Sequence, residues 1–246
     1  MIKDKVAIIT GASSGIGFAT ALALSKAGAK VAIGARRVDR LEELAKKISA
    51  NGGEVFYQKL DVTQRSDCEN FAKAVLEKWG SIDILVNNAG LMPLSLFKSL
   101  KVDEWDRMID VNIKGVLYST GAVISHMREK KSGHIVNLSS VAGRVVFAGG
   151  SVYCATKYAV AAFSEGLRQE FSVRSNIRVT SIEPGVVATE LTDTITDESL
   201  KGFVENAKKM ESLQAEDIAN AILYAVDSPS HVNVNEILIR PTTQAL

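Results

Sequence analysis

Two residues that could transfer a proton, Tyr153 and Lys157, lie four positions apart in a stretch whose pattern predicts a helix. At that spacing both side chains rise from one helix face. A lysine ammonium beside a phenol favours the phenolate and lowers a pKa that is normally about 10. Ser140 follows the strand-like run 135–138 and could place its hydroxyl on the same reacting oxygen. These residues predict a proton-transfer site that needs a redox partner, although each pattern is also common in ordinary helices and turns.

A glycine-rich turn near the N-terminus connects a predicted strand, the apolar run 6–10, to a predicted helix that continues to about Ala27. Free backbone N–H groups at such a turn, together with the positive end of the helix dipole, bind phosphate. A flexible loop is the alternative interpretation. The strand and helix on either side favour a dinucleotide site formed by Gly11, Ser13, Ser14, Gly15, Ile16 and Gly17.

Two arginines, Arg36 and Arg37, close the second predicted strand, 30–35. A site for NAD carries an acidic residue at about this distance from the glycines, where it binds the ribose hydroxyls. Arginines instead bind a 2′-phosphate through planar, charge-assisted hydrogen bonds. The pair therefore favours NADP (NADPH) as cofactor, with NAD as the alternative. The alternative interpretation is that both arginines only begin a solvent-exposed helix.

Strands and helices alternate along the chain with short links between them, which favours right-handed crossovers and a parallel sheet. The predicted strands are 6–10, 30–35, 54–60, 81–86, 135–138, 177–182 and 236–240. We therefore predict an α/β fold: a single domain, 1–246, with a Rossmann-type doubly wound parallel sheet of about seven strands and helices on both faces. The ligand crevice of such a sheet lies at the carboxyl ends of the strands. Gly11, Arg36, Asp61, Gly90 and Ser140 all fall at such ends.

A long helix is predicted over 102–130, where Asn112 lies among apolar neighbours. If this amide is buried, it needs a polar partner. The polar segment 191–212 has weak helical patterning, and we expect it to be a mobile cover over the substrate.

The composition excludes several classes of function. Hydrophobic residues make up 46% of the chain, charged residues 23%, and the net charge is +1. This balance gives no electrostatic reason to expect nucleic acid or a membrane as partner. Cys68 and Cys154 lack the spacing of metal ligands, and the three histidines do not combine with other residues into a ligand or catalytic pattern. We therefore expect no metal. Without a disulfide framework, a signal-peptide core or an apolar run of spanning length, we expect a cytoplasmic protein.

Several separated motifs, in order along essentially the whole chain, closely resemble those of the short-chain dehydrogenase/reductase family. The catalytic tetrad of that family is matched by Asn112, Ser140, Tyr153 and Lys157. The glycine turn beginning at Thr10 matches its cofactor turn. Further cofactor-binding positions of the family are matched by Asp61, Val62, Asn88, Ala89, Gly90, Pro184, Gly185 and Thr189, and the resemblance implies that Tyr153 and Lys157 also contact the cofactor.

The resemblance implies a role for each member of the tetrad. Tyr153 would protonate a carbonyl oxygen as hydride leaves C4 of the nicotinamide, and Ser140 would hold that oxygen. Lys157 would bind the nicotinamide-ribose hydroxyls and lower the pKa of Tyr153, while Asn112 would position a water of a proton relay. The cofactor supplies the hydride in such an enzyme, and the protein supplies orientation and proton transfer.

Two departures from the family pattern bear on cofactor and substrate. Members that use NADP often carry a basic residue where this chain has Ser14, although Arg36 and Arg37 place the chain with the NADP-preferring branch. The stretch 234–244 lacks the Asp-Gly-Gly ending of many acyl-carrier-protein ketoreductases. It resembles instead the branch that acts on small hydroxy acids, amino alcohols and assorted aldehydes or ketones.

We therefore expect an NADPH-dependent oxidoreductase that transfers hydride between the nicotinamide and a carbonyl or alcohol. An NAD(P)-dependent 3-hydroxy-acid dehydrogenase is the alternative within enzymes, and a catalytically silent NADP-binding sensor is the alternative outside them. The resemblance also implies a homotetramer or homodimer. The predicted substrate wall is mainly apolar and consists of Leu91, Met92, Leu94, Val141, Val146, Phe147 and Leu191, with Arg144 as a nearby solvated charge.

Overall fold

A parallel β-sheet forms the centre of the fold in this computed structural model, which describes residues 2–245 apart from the side chains at 207 and 208. Residues 1 and 246 of the predicted domain lie outside this part. The described strands are β1 (Val6–Thr10), β2 (Lys30–Ala35), β3 (Val55–Lys59), β4 (Ile84–Asn87), β5 (Gly133–Leu138), β6 (Ile177–Pro184) and β7 (Glu236–Ile239). Their order is β3-β2-β1-β4-β5-β6-β7, and every neighbouring pair is parallel. The predicted doubly wound α/β fold is confirmed.

Helices cover both faces of this sheet. The described α-helices are α1 (Gly15–Lys26), α2 (Val38–Ala50), α3 (Arg65–Trp79), α4 (Val102–Ile109), α5 (Gly115–Lys130), α6 (Ser151–Ser175), α7 (Lys201–Lys209) and α8 (Ala215–Asp227). No helix among residues 2–245 is long and apolar enough to cross a membrane.

The alternation of side chains along a strand explains why the central strands are continuously apolar. In β1, Ala7 and Ile9 pack with the layer that contains α1, α2 and α8. Val6 and Ile8 pack on the opposite face, in the cluster with Phe71 of α3 and residues of α5 and α6. Because both faces are covered, every position of the strand is buried.

The helix predicted over 102–130 is interrupted by a π-helical turn, Asp110–Lys114, between α4 and α5. The backbone stays in the right-handed helical region at both joins, so the helix axis continues through the turn. Such turns insert one extra residue, and they are frequent at functional sites. Here the turn contains Asn112, whose side chain is buried. Periodicity alone does not reveal one inserted residue.

The segment 191–212 contains more structure than its weak patterning indicated. It includes most of the 3₁₀ turn Glu190–Thr194, the 3₁₀ turn Glu198–Leu200 and helix α7. Asp197 lies buried and accepts hydrogen bonds from the Leu96 amide (3.0 Å) and the Ser99 hydroxyl (2.7 Å). Leu200 packs in the apolar cluster that also contains Tyr153. Polar contacts therefore fasten this segment to the loop that follows β4.

Candidate active site

A cavity of about 830 Å³ opens at the carboxyl edge of the sheet. All the predicted site residues line it except two, Gly17 and Asn112. The site residues in its wall are Gly11, Ser13, Ser14, Gly15, Ile16, Arg36, Arg37, Asp61, Val62, Asn88, Ala89, Gly90, Ser140, Tyr153, Lys157, Pro184, Gly185 and Thr189. Residues that are far apart in sequence meet here because the strands are parallel and end at the same edge.

The glycine turn after β1 has room only for glycine at two positions. Gly11 has a φ of +67°, and a Cβ atom there would lie 2.7 Å from the Cα of Ala89. A Cβ at Gly17 would lie 2.4 Å from Asn88 Nδ2 and 2.6 Å from the Gly11 carbonyl oxygen. Gly17 therefore stands behind the cavity wall, where it allows α1 to begin close to the strand ends.

Asn88 holds the turn after β1 against the turn after β4. Its amide donates to the carbonyl oxygens of Thr10 (3.0 Å) and Gly11 (3.2 Å). In return, the Thr10 hydroxyl accepts from the backbone N–H groups of Asn88 and Ala89, each at 3.1 Å. These reciprocal bonds fix the width of the cavity at the crossover between β1 and β4.

Arg37 reaches from the end of β2 over the glycine turn. Its guanidinium donates to the hydroxyls of Ser13 (3.0 and 3.2 Å) and Ser14 (2.6 Å). A further N–H group donates to the Glu190 carboxylate at 2.8 Å. Many NADP-using members of the family that the sequence resembles carry a basic residue where this chain has Ser14. The guanidinium of Arg37 brings a positive charge to that position.

Tyr153 and Ser140 lie together at the inner part of the cavity wall. Burial raises the pKa of Tyr153 to about 12, and a hydrogen bond with the Ser140 side chain opposes this shift in part. Ser140 is placed at the start of a 3₁₀ turn, where its hydroxyl accepts from the Ala142 amide (3.1 Å) and lies 3.4 Å from the Pro184 carbonyl oxygen. A phenol with this pKa is protonated at neutral pH.

Lys157 is buried beside these two residues. Its ammonium donates to the Leu138 carbonyl oxygen at 2.8 Å and lies 5.7 Å from the centre of the Tyr153 ring. Burial lowers the pKa of Lys157 to about 8. The lowering of the Tyr153 pKa by Lys157, expected from the spacing, is not found in this structure. The ammonium is directed to a strand carbonyl, and burial of the phenol dominates.

Asn112 lies behind the cavity wall and connects three elements. Its side-chain oxygen accepts from the Leu91 amide (2.9 Å), and its NH₂ group donates to the Leu91 carbonyl (2.9 Å) and the Thr156 hydroxyl (3.1 Å). The Thr156 hydroxyl donates in turn to the Tyr153 carbonyl oxygen at 2.7 Å. The polar partners that a buried Asn112 needs therefore come from the loop after Gly90 and from helix α6.

Arg144 is exposed, as the sequence predicted, but it is also paired with carboxylates. Its guanidinium forms ion pairs with Glu183, which is buried, and with Glu236. Both carboxylates raise the pKa of Arg144 above its usual range. Because two carboxylates already surround it, Arg144 is a poor anchor for an acidic substrate. It connects the loop that carries Ser140 to β6 and β7.

The predicted substrate-wall residues all line the cavity, and the structure adds others. Phe203, Asn206 and Met210 reach it from α7 and the residue that follows. Their spacing of three and four places them on one helix face, a signal that was present in the sequence but masked by the lysines around them. Phe203 stacks on Phe147 with ring centroids 6.2 Å apart.

Arg107, in α4, is a second addition to the cavity wall. Unlike Arg144, it pairs with no carboxylate among residues 2–245. Within the same residues no group of three or more His, Cys, Asp or Glu side chains is arranged to hold a metal ion.

Comparisons with known proteins agree with this geometry. The short chain dehydrogenase family model matches residues 5–200. An uncharacterized oxidoreductase of Staphylococcus saprophyticus is 52% identical over 246 residues, which are 100% of this chain and 99% of that protein.

Solved structures show the same fold and bind nicotinamide nucleotides. A serine dehydrogenase in complex with NADP⁺ superposes with a TM-score of 0.90 at 36% identity, over 98% of this chain and 96% of that one. An alcohol dehydrogenase from Thermococcus sibiricus in complex with 5-hydroxy-NADP has a TM-score of 0.87 at 33% identity, over 98% of both chains. A relative from Burkholderia phymatum, with a TM-score of 0.87 at 26% identity over 96% of this chain and 89% of that one, was solved with NAD. The chain belongs to the short-chain dehydrogenase/reductase family of NAD(P)-dependent oxidoreductases.

Proposed function

We propose that this protein is an NADPH-dependent carbonyl reductase that also runs in reverse as an alcohol dehydrogenase. The observation that carries the proposal is the cluster of Ser140, Tyr153 and Lys157 in the wall of one cavity that also contains the glycine turn and Arg37. A proton donor, a hydrogen-bonding hydroxyl and a cation thereby lie in the same cavity as a glycine turn suited to bind phosphate.

The residues present fit a dinucleotide. The glycine turn has no room for side chains at Gly11 and Gly17, so its backbone can lie close to a ligand. The N-terminus of α1 directs free N–H groups toward this turn, and such groups bind a pyrophosphate. Asp61 and Val62 would contact the adenine, and Pro184, Gly185 and Thr189 would meet the nicotinamide end. When bound, the cofactor supplies the hydride.

The protein's own contribution to the reaction is to deliver a proton and hold the reacting oxygen. Tyr153, protonated at neutral pH, donates its proton to the carbonyl oxygen as negative charge develops there. The Ser140 hydroxyl, already hydrogen-bonded to Tyr153, binds the same oxygen. Lys157 carries a positive charge below a pH of about 8, and its ammonium, 5.7 Å from the centre of the Tyr153 ring, would bind the nicotinamide-ribose hydroxyls. In the oxidative direction the phenolate is the base, so alcohol oxidation rises with pH.

Three features support NADPH over NADH. Arg37 offers a guanidinium at the end of β2, Ser13 and Ser14 add hydroxyl donors, and the more similar of the three solved neighbours described above bind NADP or its derivative. NAD remains the alternative, and the relative solved with NAD supports it.

The walls of the substrate side favour a neutral carbonyl of moderate size. Leu91, Met92, Val146 and the stacked pair Phe147 and Phe203 are apolar. Such walls discriminate by shape, at about 1–3 kcal/mol per methylene. Segment 191–212 contributes Phe203, Asn206 and Met210 to the cavity, which supports its role as a substrate cover that orders further on cofactor binding.

A 3-hydroxy-acid dehydrogenase is the second candidate. The neighbour described as a serine dehydrogenase favours it, since serine is a 3-hydroxy acid. Arg107 lies in the cavity wall with no carboxylate partner among the described residues, so it could bind a substrate carboxylate.

A series of matched substrates decides between these candidates. Neutral and carboxylated carbonyls of equal length are compared by kcat/KM with NADPH, in the wild-type protein and in Arg107→Met. We expect kcat/KM to be higher for the neutral substrates by about tenfold or more, because the substrate side of the cavity is mainly apolar. A factor of ten corresponds to about 1.4 kcal/mol. If the acids are faster and Arg107→Met removes their advantage, the hydroxy-acid dehydrogenase replaces the carbonyl reductase.

We further propose that the protein assembles as a homotetramer or homodimer. The apolar residues Val116, Val123 and Leu167 of the long helices are buried within one chain, and Phe163 packs against the core, so these four residues belong to the core. Leu117 of α5 and Tyr158 of α6 are instead exposed and apolar, at 41% and 42%. Light scattering at micromolar concentration measures the assembly, and a monomer would exclude it.

A further inference from the structure

The guanidinium of Arg37 is already bound to an anion of the same chain. Its Nη1 donates to Glu190 Oε2 at 2.8 Å, and its remaining donors are directed to Ser13 and Ser14. The Ser14 hydroxyl also hydrogen-bonds the Glu190 carboxylate. Glu190 thus uses two of the groups that a 2′-phosphate would need.

Glu190 is held at this position by the backbone around it. It follows Thr189 directly, and the side chain of Thr189 packs against Gly15, within 3.0 Å of where a Cβ would lie. The Thr189 hydroxyl caps the 3₁₀ turn Glu190–Thr194 by accepting from the Leu191 amide at 3.3 Å. The 3₁₀ turn Glu190–Thr194 therefore begins against the glycine turn, and its first residue, Glu190, faces Arg37.

We propose that Glu190 is an intramolecular competitor of the cofactor's 2′-phosphate for Arg37 and is thereby a determinant of cofactor specificity. The inference rests on the proposed NADP site. It assigns to Glu190 a role opposite to that of Arg37: the arginine favours the 2′-phosphate, and the glutamate reduces that preference.

Charge and geometry both support competition. A carboxylate and a phosphate bind a guanidinium through the same planar N–H donors, so a donor that serves one is lost to the other. Two anions at this site would also repel each other at short range. The hydrogen bond from Arg37, followed by that from Ser14, lowers the pKa of Glu190, so the competing carboxylate is ionised at neutral pH. A ligand without the 2′-phosphate does not meet this competition.

The expected effect is modest because the pair is half exposed. The exposed fractions are 45% for Arg37 and 50% for Glu190. Ion pairs of this kind correspond to roughly a twofold to fivefold change in an equilibrium constant. The effect is also screened by salt, so it must be measured at one low ionic strength.

Calorimetric titration with adenosine 2′,5′-bisphosphate and with adenosine 5′-monophosphate isolates the phosphate, because the two ligands differ in nothing else. In Glu190→Gln we expect roughly twofold to fivefold tighter binding of the bisphosphate and unchanged binding of the monophosphate. Glu198→Gln, at an exposed acid in the next 3₁₀ turn, Glu198–Leu200, is the matched control for loss of one negative charge, and we expect it to change neither affinity.

Arg37→Met and the double variant Arg37→Met/Glu190→Gln separate this inference from the NADP proposal. Arg37→Met should weaken the bisphosphate selectively, and adding Glu190→Gln to it should then have no effect. If Arg37→Met does so but Glu190→Gln alone leaves the bisphosphate unchanged or weakens it, competition is wrong and the NADP site stands. If Arg37→Met leaves the ratio of the two affinities unchanged, both are wrong. A melting curve of each variant checks that it is folded.

Discussion

Replacing Tyr153 by Phe is expected to lower kcat by a factor of about 100 or more while the affinity for NADPH changes little. The substitution removes one oxygen from a side chain that is buried among Leu91, Ala142 and Cys154, and the ring can keep its packing. The lost group is the proton donor. Without it, the alkoxide that develops on the substrate has only the Ser140 hydroxyl as a hydrogen-bonding partner.

Steady-state kinetics with a saturating carbonyl substrate and a separate fluorescence titration of NADPH measure the two quantities independently. Tyr158→Phe is the matched control because it removes a phenol from the same helix at an exposed position. We expect that variant to retain wild-type kcat. A loss of kcat in Tyr153→Phe that is clearly smaller than a factor of about 100 would show that another group delivers the proton.

Replacing Lys157 by Met is expected to abolish turnover and at the same time to stabilise the fold at pH 7. Burial lowers the pKa of Lys157 to about 8 from the ordinary lysine value of 10.5, so the folded protein holds this charge at a cost. The difference corresponds to roughly 3 kcal/mol. The hydrogen bond of this charged group to the Leu138 carbonyl, worth about 2 kcal/mol, offsets part of it. The expected net gain is therefore about 1 kcal/mol.

The difference in stability between the wild-type protein and Lys157→Met is expected to decrease as pH rises. Between about pH 8 and pH 10.5 the unfolded chain still binds the Lys157 proton while the folded chain has released it, so the wild-type protein becomes more stable relative to the variant as pH rises. Denaturant unfolding at pH 7 and at pH 10.5 measures both free energies. Lys114→Met, at an exposed lysine paired with Asp110, controls for loss of a surface charge. A variant that is less stable at pH 7, or a difference that does not narrow at high pH, would contradict the account.

The sequence predicted the architecture because the strands are buried on both faces and separated by clear helical patterns. Once a parallel sheet is inferred, Gly11, Asp61, Gly90 and Ser140 must meet at one edge, whatever the details of the loops. The structure places them there. The amide of Asn112 was also predictable in kind, since a buried amide among apolar residues needs partners, but Leu91 and Thr156 lie in other elements and had to be found by structure.

What the sequence could not predict depends on side-chain direction and on contacts between distant residues. Arg144 is exposed as predicted, but its ion pairs with Glu183 and Glu236, at the ends of β6 and β7, were not predicted. The spacing of Tyr153 and Lys157 gave a shared helix face but not the direction of the ammonium, which bonds a strand carbonyl. The contact between Arg37 and Glu190 joins residues 153 positions apart. No local pattern encodes that pair.

The measurement that tests the central claim most directly follows a deuterium atom. The protein is incubated with a neutral aldehyde or ketone and NADPH that carries deuterium at C4 of the nicotinamide, prepared separately in each of the two stereochemical forms. The product alcohol is then analysed by mass spectrometry. The account predicts that one of the two forms transfers its deuterium to the former carbonyl carbon, and that Tyr153→Phe slows this transfer by a factor of about 100 or more. Binding of NADPH without transfer to any member of a broad carbonyl panel, and without the reverse transfer from the corresponding alcohols to NADP⁺, would contradict it and would favour a nucleotide-binding sensor.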